Sequence, residues 1–295
     1  MIDVLIVGGG PAGLSAALAL GRARKRVLLC DAGAPRNALA VHLQNFVTRD
    51  GTPPSEFRAI GRAQLKTYPT VEVRDTRVHA IRQGHTFQVE LENETVHARR
   101  ILLCTGMIDE MLPLEGFADL WGHAIYQCPY CHGWEVRDRR WGYLALGPHM
   151  LPFALQLRGW TDQVTLFTNA AFELPVEMVE RLSSAGIQVE EEPIARLVAE
   201  GHQLTSVAFQ SGRSVECDVL FAHPPQHHVK LVDSLGLALD DMGFVQVDPM
   251  TRETSVPGIY AGGDLITRMQ TAVLAAGSGM MAAAMLNHAL NDELS

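Results

Sequence analysis

The chain of 295 residues lacks most of what would place it among nucleic-acid-binding, membrane or disulfide-scaffold proteins. It has no excess of basic charge. Its 24 Lys and Arg stand against 33 Asp and Glu, a formal net charge of −9 that offers no general attraction to nucleic acid or anionic lipid. It has no unbroken apolar run of membrane length either. The longest weakly polar stretch, residues 271–286, is interrupted by Gly277, Ser278 and Gly279 and reads as a buried helix, so no membrane span is expected. The first ten residues read as a buried strand without a basic leader or cleavage site, which predicts a cytoplasmic protein. Cysteine is scarce and odd in number. Five in such a chain argue against a disulfide framework and for a reducing compartment. Charged residues reach only 19% while hydrophobic ones make up 47%, which leaves no disordered class to consider and enough apolar mass for two domains of ordinary size.

What is present begins at residue 3. Asp3-Val4-Leu5-Ile6-Val7 reads as a strand, Gly8-Gly9-Gly10-Pro11-Ala12-Gly13 as a tight turn, and Leu14 to Leu20 as a helix of small and apolar residues. In this G-x-G-x-x-G pattern Gly8 permits the turn, Gly10 lets the backbone approach a pyrophosphate, and Gly13 lets helix and strand pack closely. The helix N-terminus then offers its partial positive charge to the phosphates. A second strand, Val27-Leu28-Leu29-Cys30, ends in Asp31-Ala32, about 20 residues beyond the glycines, where a ribose-binding carboxylate belongs. The context predicts a dinucleotide site but does not separate NAD from FAD.

The other end of the chain bears on that choice. Ser255 to Asp264, reading SVPGIYAGGD, resembles the second FAD signature of the pyridine-nucleotide disulfide oxidoreductases. The resemblance implies that Gly263-Asp264 holds the ribityl chain of FAD. It also implies that the following helix, starting at Gln270-Thr271, aims its N-terminus at the pyrimidine edge of the flavin. Arg36-Asn37 and Gln44-Asn45-Phe46 fall in the segment that wraps the isoalloxazine in that family, and Cys104-Thr105-Gly106 matches its Ala-Thr-Gly turn.

Two signatures at opposite ends imply an insertion between them. The expected fold is α/β, with two Rossmann-like nucleotide-binding domains of the three-layer ββα type, the second inserted in the first. Residues 1–112 and 240–295 would bind FAD, and residues 113–239 would form an NAD(P)-binding-like domain. Within the insertion, strands are expected at 143–146, 164–168, 187–191, 206–209 and 215–222, and helices at 151–160 and 175–185.

Near the start of the insertion stands Gln127-Cys128-Pro129-Tyr130-Cys131-His132-Gly133-Trp134-Glu135. The spacing lets two sulfurs meet across one helical turn, with the first near a helix N-terminus that favours its thiolate. Other readings compete. Cys-x-x-Cys-His is also the c-type haem attachment motif, but covalent haem normally goes with export. A zinc site needs two more ligands, for which His227-His228 is the nearest candidate pair, so no metal is expected. Cys-Pro-Tyr-Cys occurs in glutaredoxins as well, there after the first strand of a small domain and not behind a nucleotide fold. Cys30, Cys104 and Cys217 read as core residues.

In placement and surroundings the chain resembles the low-molecular-weight thioredoxin reductases over nearly its whole length. The resemblance implies a homodimer in which Cys131 faces the flavin C4a position and Cys128 attacks the partner disulfide or thiol. This sequence has His132 where the family has Asp. His132 can still serve as general acid or base, and Glu135, read as one helical turn further on, can orient it or share the proton transfer.

The second domain lacks the usual nicotinamide elements. Its turn, Leu146-Gly147-Pro148-His149-Met150, keeps one glycine of the Gly-x-Gly-x-x-Ala pattern. Asn169-Ala170-Ala171-Phe172-Glu173 brings no arginine for a 2′-phosphate. NADPH and NADH are therefore in doubt as donors, with NADH binding through a degenerate site as the alternative. Electrons would otherwise come from a reduced protein such as ferredoxin or leave to oxygen. The expected partner is a thioredoxin-like protein or another disulfide. The motif also resembles dithiol oxidases of the gliotoxin and holomycin kind, which close a disulfide in a small molecule. A flavin-bound redox sensor without turnover is the non-enzymatic alternative.

Overall fold

The computed structural model describes residues 1–293. The chain divides into two compact units, Met1–Ile108 with Gln226–Ser295, and Asp109–Pro225. The expected insertion of 113–239 therefore ends too late. Residues 226–239 belong with the first unit because Leu231, Val232 and Leu237 are buried in its core beside Phe244 and Val245.

The first unit opens with β1 (Ile2–Val7), whose central residues are fully buried. Alternate side chains serve opposite faces: Leu5 and Val7 join one core cluster, Val4 and Ile6 the other. Burial of each large apolar side chain contributes about 1.5–3 kcal/mol, so a strand covered on both faces is read as a continuous apolar run. Then come α1 (Pro11–Arg22), β2 (Val27–Asp31), α2 (Pro54–Leu65), β3 (Val71–Asp75), β4 (Val78–Arg82), β5 (Phe87–Leu91) and β6 (Thr95–Leu103). The strand Ile259–Ala261 adds to the other side of the long β6.

β6 joins the parallel and the antiparallel parts of one seven-stranded sheet. Its second half pairs in parallel with β1 and with Ile259–Ala261, while its first half pairs antiparallel with β5, and β5 with β4. Parallel layer, antiparallel layer and helices together give the three-layer ββα arrangement.

The carboxy-terminal helix, Ala272–Asp292, runs past the expected end at 286. By length and composition it is apolar enough to cross a membrane. Its buried residues, Ala275, Gly279, Ala282, Ala283, Leu286 and Leu290, form one stripe inside a core cluster shared with α1. A Cβ on Gly279 would stand 2.1 Å from the carbonyl oxygen of Ala12, so glycine is what lets these two helices approach.

The second unit contains β7 (Ile125–Tyr126), α3 (Pro129–His132), β8 (Trp141–Leu144), α4 (Leu151–Leu157), β9 (Val164–Phe167), α5 (Val176–Ser184) and β10 (Gln188–Glu190). It continues with β11 (Ile194–Glu200), β12 (Gln203–Phe209), β13 (Ser214–Glu216) and β14 (Val219–Ala222). A parallel sheet runs β10-β9-β8-β14-β7, and β11, β12 and β13 form a separate antiparallel sheet. The plan repeats that of the first unit. The strand expected over 215–222 is split at Cys217-Asp218. There the backbone amides of Asp218 and Val219 both turn to the Arg140 carbonyl, and the Arg140 guanidinium holds the Asp218 carboxylate.

Candidate active site

Strand register in the first unit gathers stretches that lie far apart in sequence. Val7 is level with Cys30 and with Leu103, and Leu103 with Ala261. The residues that follow, Gly8 to Gly13, Asp31, Cys104 to Gly106 and Gly262 to Asp264, consequently emerge at one edge, the carboxyl ends of parallel strands. Ligands of open α/β sheets bind at such an edge.

The glycine turn is built for close approach. A Cβ on Gly8, whose φ is +110°, would stand 2.2 Å from the Cys104 carbonyl oxygen, and one on Gly13 would stand 1.9 Å from that of Gly8. Gly10 is the N-cap of α1, with Pro11 at its first turn and Ala12 buried behind. Beyond Gly10 and Gly106 a Cβ would meet nothing within 4 Å, so open space borders both turns. The Asp31 carboxylate lies against Gly9, accepts the Gly33 amide at 3.1 Å, and pairs with Arg62 at 2.8 Å. Ala32 continues the chain to that turn.

Arg36 donates to the Gln270 side-chain oxygen at 2.5 Å and lies 3.6 Å from the Asp264 carboxylate. Gln270 and Gln226 exchange side-chain hydrogen bonds of 2.8 and 3.0 Å. Gly263 donates its amide to Ser278 at 2.6 Å, and Thr271 caps the carboxy-terminal helix by accepting the Leu274 amide at 3.3 Å. Thr105 donates to the Gly106 carbonyl at 3.4 Å. Asn37 accepts from Arg58 at 3.4 Å, and Asn45 adopts a left-handed conformation with its amide on Asp50 at 2.7 Å. Open glycine turns at a helix N-terminus, a carboxylate at the end of β2 and the Arg36-Asp264-Gln270 cluster form a donor and acceptor set that fits FAD. Arg62 and Gln226 had no signal in the sequence. Arg62 projects from a helix without a motif, and Gln226 meets Gln270 only through the fold.

The cysteine pair sits in the second unit. Cys128 is the N-cap of the single-turn helix α3, and the Cys131 thiol donates to the Cys128 sulfur at 2.9 Å. Both are free cysteines, half-buried. The Cys131 hydrogen bond, opposed by burial and supported by the backbone amides of Cys131 and Tyr130, lowers the Cys128 thiol to about 7. Burial instead pushes Cys30, Cys104 and Cys217 up to about 12, which leaves them unreactive core residues. Alkylation of the reduced protein at Cys128, followed by fragment mass spectrometry, is expected to rise with pH through a midpoint near 7. A midpoint at the ordinary thiol value of 9.0 would contradict this geometry.

His132 stacks on Tyr126, with ring centroids 4.3 Å apart and planes 14° from parallel. Burial lowers its pKa, partly offset by the charge of Glu135. Glu135 does not lie one helical turn on from His132 as expected. The helix ends at His132, Gly133 packs against Pro129 and Trp160, and Glu135 is exposed on the turn that follows. Tyr130 and Trp134 are exposed beside the pair, Tyr130 edge-on to Trp160 and Trp134 beneath the Arg137 guanidinium. Among the described residues no group of three or more His, Cys, Asp or Glu side chains is placed to hold a metal ion.

The second glycine turn is filled by the protein itself. The Leu146 amide donates to the Met150 sulfur at 3.3 Å, and Met150 is buried. A Cβ on Gly147 would lie 2.9 Å from the His149 ring. After β9, Asn169 and Ala170 both take left-handed conformations, and the Asn169 side chain accepts the Ile194 amide at 2.6 Å. Arg213, which lies by the end of β10, is held by Glu190 and Glu192.

Residues 2–279 match the model of the pyridine nucleotide-disulphide oxidoreductase family. The chain belongs to this family. It is 33% identical to thioredoxin reductase tcpT of Claviceps purpurea (strain 20.1), over 100% of this chain and 96% of that one. The crystal structure of a putative thioredoxin reductase TrxB from Bacillus anthracis superimposes with a TM-score of 0.94 at 32% identity, covering 100% of both chains. That of HlmI superimposes with a TM-score of 0.92 at 37% identity, covering 99% of this chain and 93% of HlmI. As a member of this family the protein is an enzyme, a thioredoxin-reductase-like disulfide oxidoreductase with FAD as cofactor.

Proposed function

We propose that the enzyme moves electrons between FAD and the Cys128-Cys131 pair, and from the pair to a disulfide of a thioredoxin-like protein, with a donor other than NADPH. The observation that carries this reading is the meeting of the two sulfurs at 2.9 Å with the Cys128 thiol near 7. An attacking thiol is fastest when its pKa lies near the ambient pH. Cys128 attacks the partner disulfide, expelling one partner thiolate and forming a mixed disulfide. Cys131 then attacks Cys128, closing the Cys128-Cys131 disulfide and releasing the second partner thiol. His132 takes the proton of the Cys131 thiol and gives it to the expelled partner thiolate. Glu135 tunes that imidazole by its charge. FAD, when bound, supplies the two-electron carrier that returns the pair to the dithiol. Gly8, Gly10, Pro11, Ala12 and Gly13 would hold its pyrophosphate, and Asp31 with Ala32 its ribose. Arg36, Asn37, Asn45, Thr105, Gly106, Gly263, Asp264, Gln270 and Thr271 would hold the flavin side. A protein donor such as ferredoxin, a homodimeric assembly and a cytoplasmic location complete the proposal.

One observation favours a second reading. A turn filled by Met150 leaves no open nicotinamide cradle, and a dithiol oxidase needs none. In that direction a small dithiol gives two electrons and two protons, and oxygen takes them as peroxide. Turnover in air with a small dithiol, compared with turnover of an oxidised thioredoxin-like protein under a reduced donor, separates the two. Peroxide formed one-for-one with disulfide, without reduction of the protein substrate, would replace the first reading by the second.

A further inference from the structure

We infer that Tyr126 is a positioning residue for the redox site: its ring fixes the imidazole of His132 in one plane, with Nδ1 turned into the protein, and favours the neutral ring. The inference rests on the role proposed for His132.

Tyr126 is held from several sides. Its backbone lies on β7, level with Phe221 of β14. Its hydroxyl donates to the His123 carbonyl, which stops rotation about the end of the ring. The fully buried Phe221 packs at 6.2 Å and is itself backed by Trp141 at 4.6 Å. A ring fixed in this way is a flat wall, and His132 lies nearly parallel to it.

The consequence for the imidazole is a preference for its neutral form. Nδ1 is sealed from solvent without a hydrogen-bond partner, and His132 as a whole is only half-buried. The imidazolium, which carries N–H on both nitrogens, would bury an unpaired N–H at Nδ1 bearing part of a full charge, at a cost larger than that of a neutral group. The wall therefore selects the neutral ring. The groups that act on this ring are Glu135, whose charge reaches both His132 and Tyr126, Arg139, whose charge reaches Tyr126, and the two thiols on the same turn. The direction of the His132 shift, downward by burial, agrees with the packing.

Tyr126 also lines a groove of about 370 Å³ together with Arg139, His202 and Asp218. Loss of the ring would join the space beside His132 to this groove, so the imidazole would gain both freedom and water.

The test is a titration of the His132 ring protons by NMR in the FAD-loaded enzyme, in wild type and in Tyr126→Phe, Tyr126→Leu and Tyr126→Ala. In wild type and Tyr126→Phe the resonances are expected upfield from the ring current of the stacked neighbour, with a midpoint below that of a free imidazole. In the Leu and Ala variants the upfield displacement is lost and the midpoint rises toward about 6.5. The acidic limb of the turnover profile moves to higher pH with it. An unshifted His132 in wild type, or the same midpoint in wild type and Tyr126→Leu, would overturn the inference whether or not any variant folds poorly. His132→Asn tests the other premise. A pH profile of turnover unchanged in that variant would remove the acid-base role of His132 while leaving the ring-current result intact.

Discussion

Replacing Cys131 by Ser is expected to lower disulfide turnover by at least about three orders of magnitude, the scale of loss when one member of a catalytic unit is removed. Cys128 still attacks the partner in that variant, but nothing resolves the mixed disulfide, which therefore accumulates as a covalent adduct visible by mass. Cys128→Ser loses turnover to a similar degree for the opposite reason: the resolving thiol remains, yet no attack on the partner begins. The two variants thus separate the roles. Cys131→Ala adds a third signature. The hydrogen bond from Cys131 is the largest cause of the lowered Cys128 thiol, so its removal is expected to raise the alkylation midpoint from about 7 toward 9.0. The thiolate fraction at neutral pH falls accordingly. Adduct accumulation in Cys128→Ser and not in Cys131→Ser would reverse the assignment.

The second large effect concerns the donor. NADPH is expected to bleach the oxidised-flavin band of the anaerobic enzyme at least about a hundredfold more slowly than a dithiol does. A pyrophosphate is held by charge-assisted hydrogen bonds worth about 1.5–3 kcal/mol each, so loss of even one costs about tenfold to a hundredfold or more. The Leu146 amide, at the turn where such bonds would form, is already given to Met150. The cation by the end of β10, Arg213, is committed to two carboxylates. NADH, which needs no partner for a 2′-phosphate, is expected to do no better, because the turn itself is filled. Rapid bleaching by either nucleotide would show that Met150 moves aside and would remove this part of the proposal.

Much of the cofactor edge was legible because its signals are local. A glycine turn between β1 and α1, an acid at the end of β2 and Gly263-Asp264 after a short strand each fix their own backbone geometry, and parallel register then brings them to one edge. The cysteine pair was legible for the same reason: two sulfurs meet within one turn. What sequence could not supply were pairings made by the fold. Arg62 reaches Asp31 from α2, Gln226 meets Gln270, and Tyr126 lies against His132 through the register of β7 on β14. Each partner belongs to an ordinary-looking segment. β5 does alternate, as Phe87-Gln88-Val89-Glu90-Leu91, but it is short and carries no chemistry-bearing motif, and the edge strand β3 is only partly buried in the fold. The end of the insertion falls at Pro224-Pro225, earlier than expected, because residues 226–239 are claimed by the first unit through Leu231, Val232 and Leu237.

The exchange of electrons between flavin and cysteine pair is the centre of the account, and an anaerobic reductive titration of the FAD-loaded enzyme measures it most directly. With dithionite as titrant, wild type is expected to take up one two-electron equivalent for the disulfide and a second for the flavin, whereas Cys131→Ser takes up only the flavin's. Equal uptake by the two proteins, with the flavin of wild type bleaching fully in the first equivalent, would contradict it.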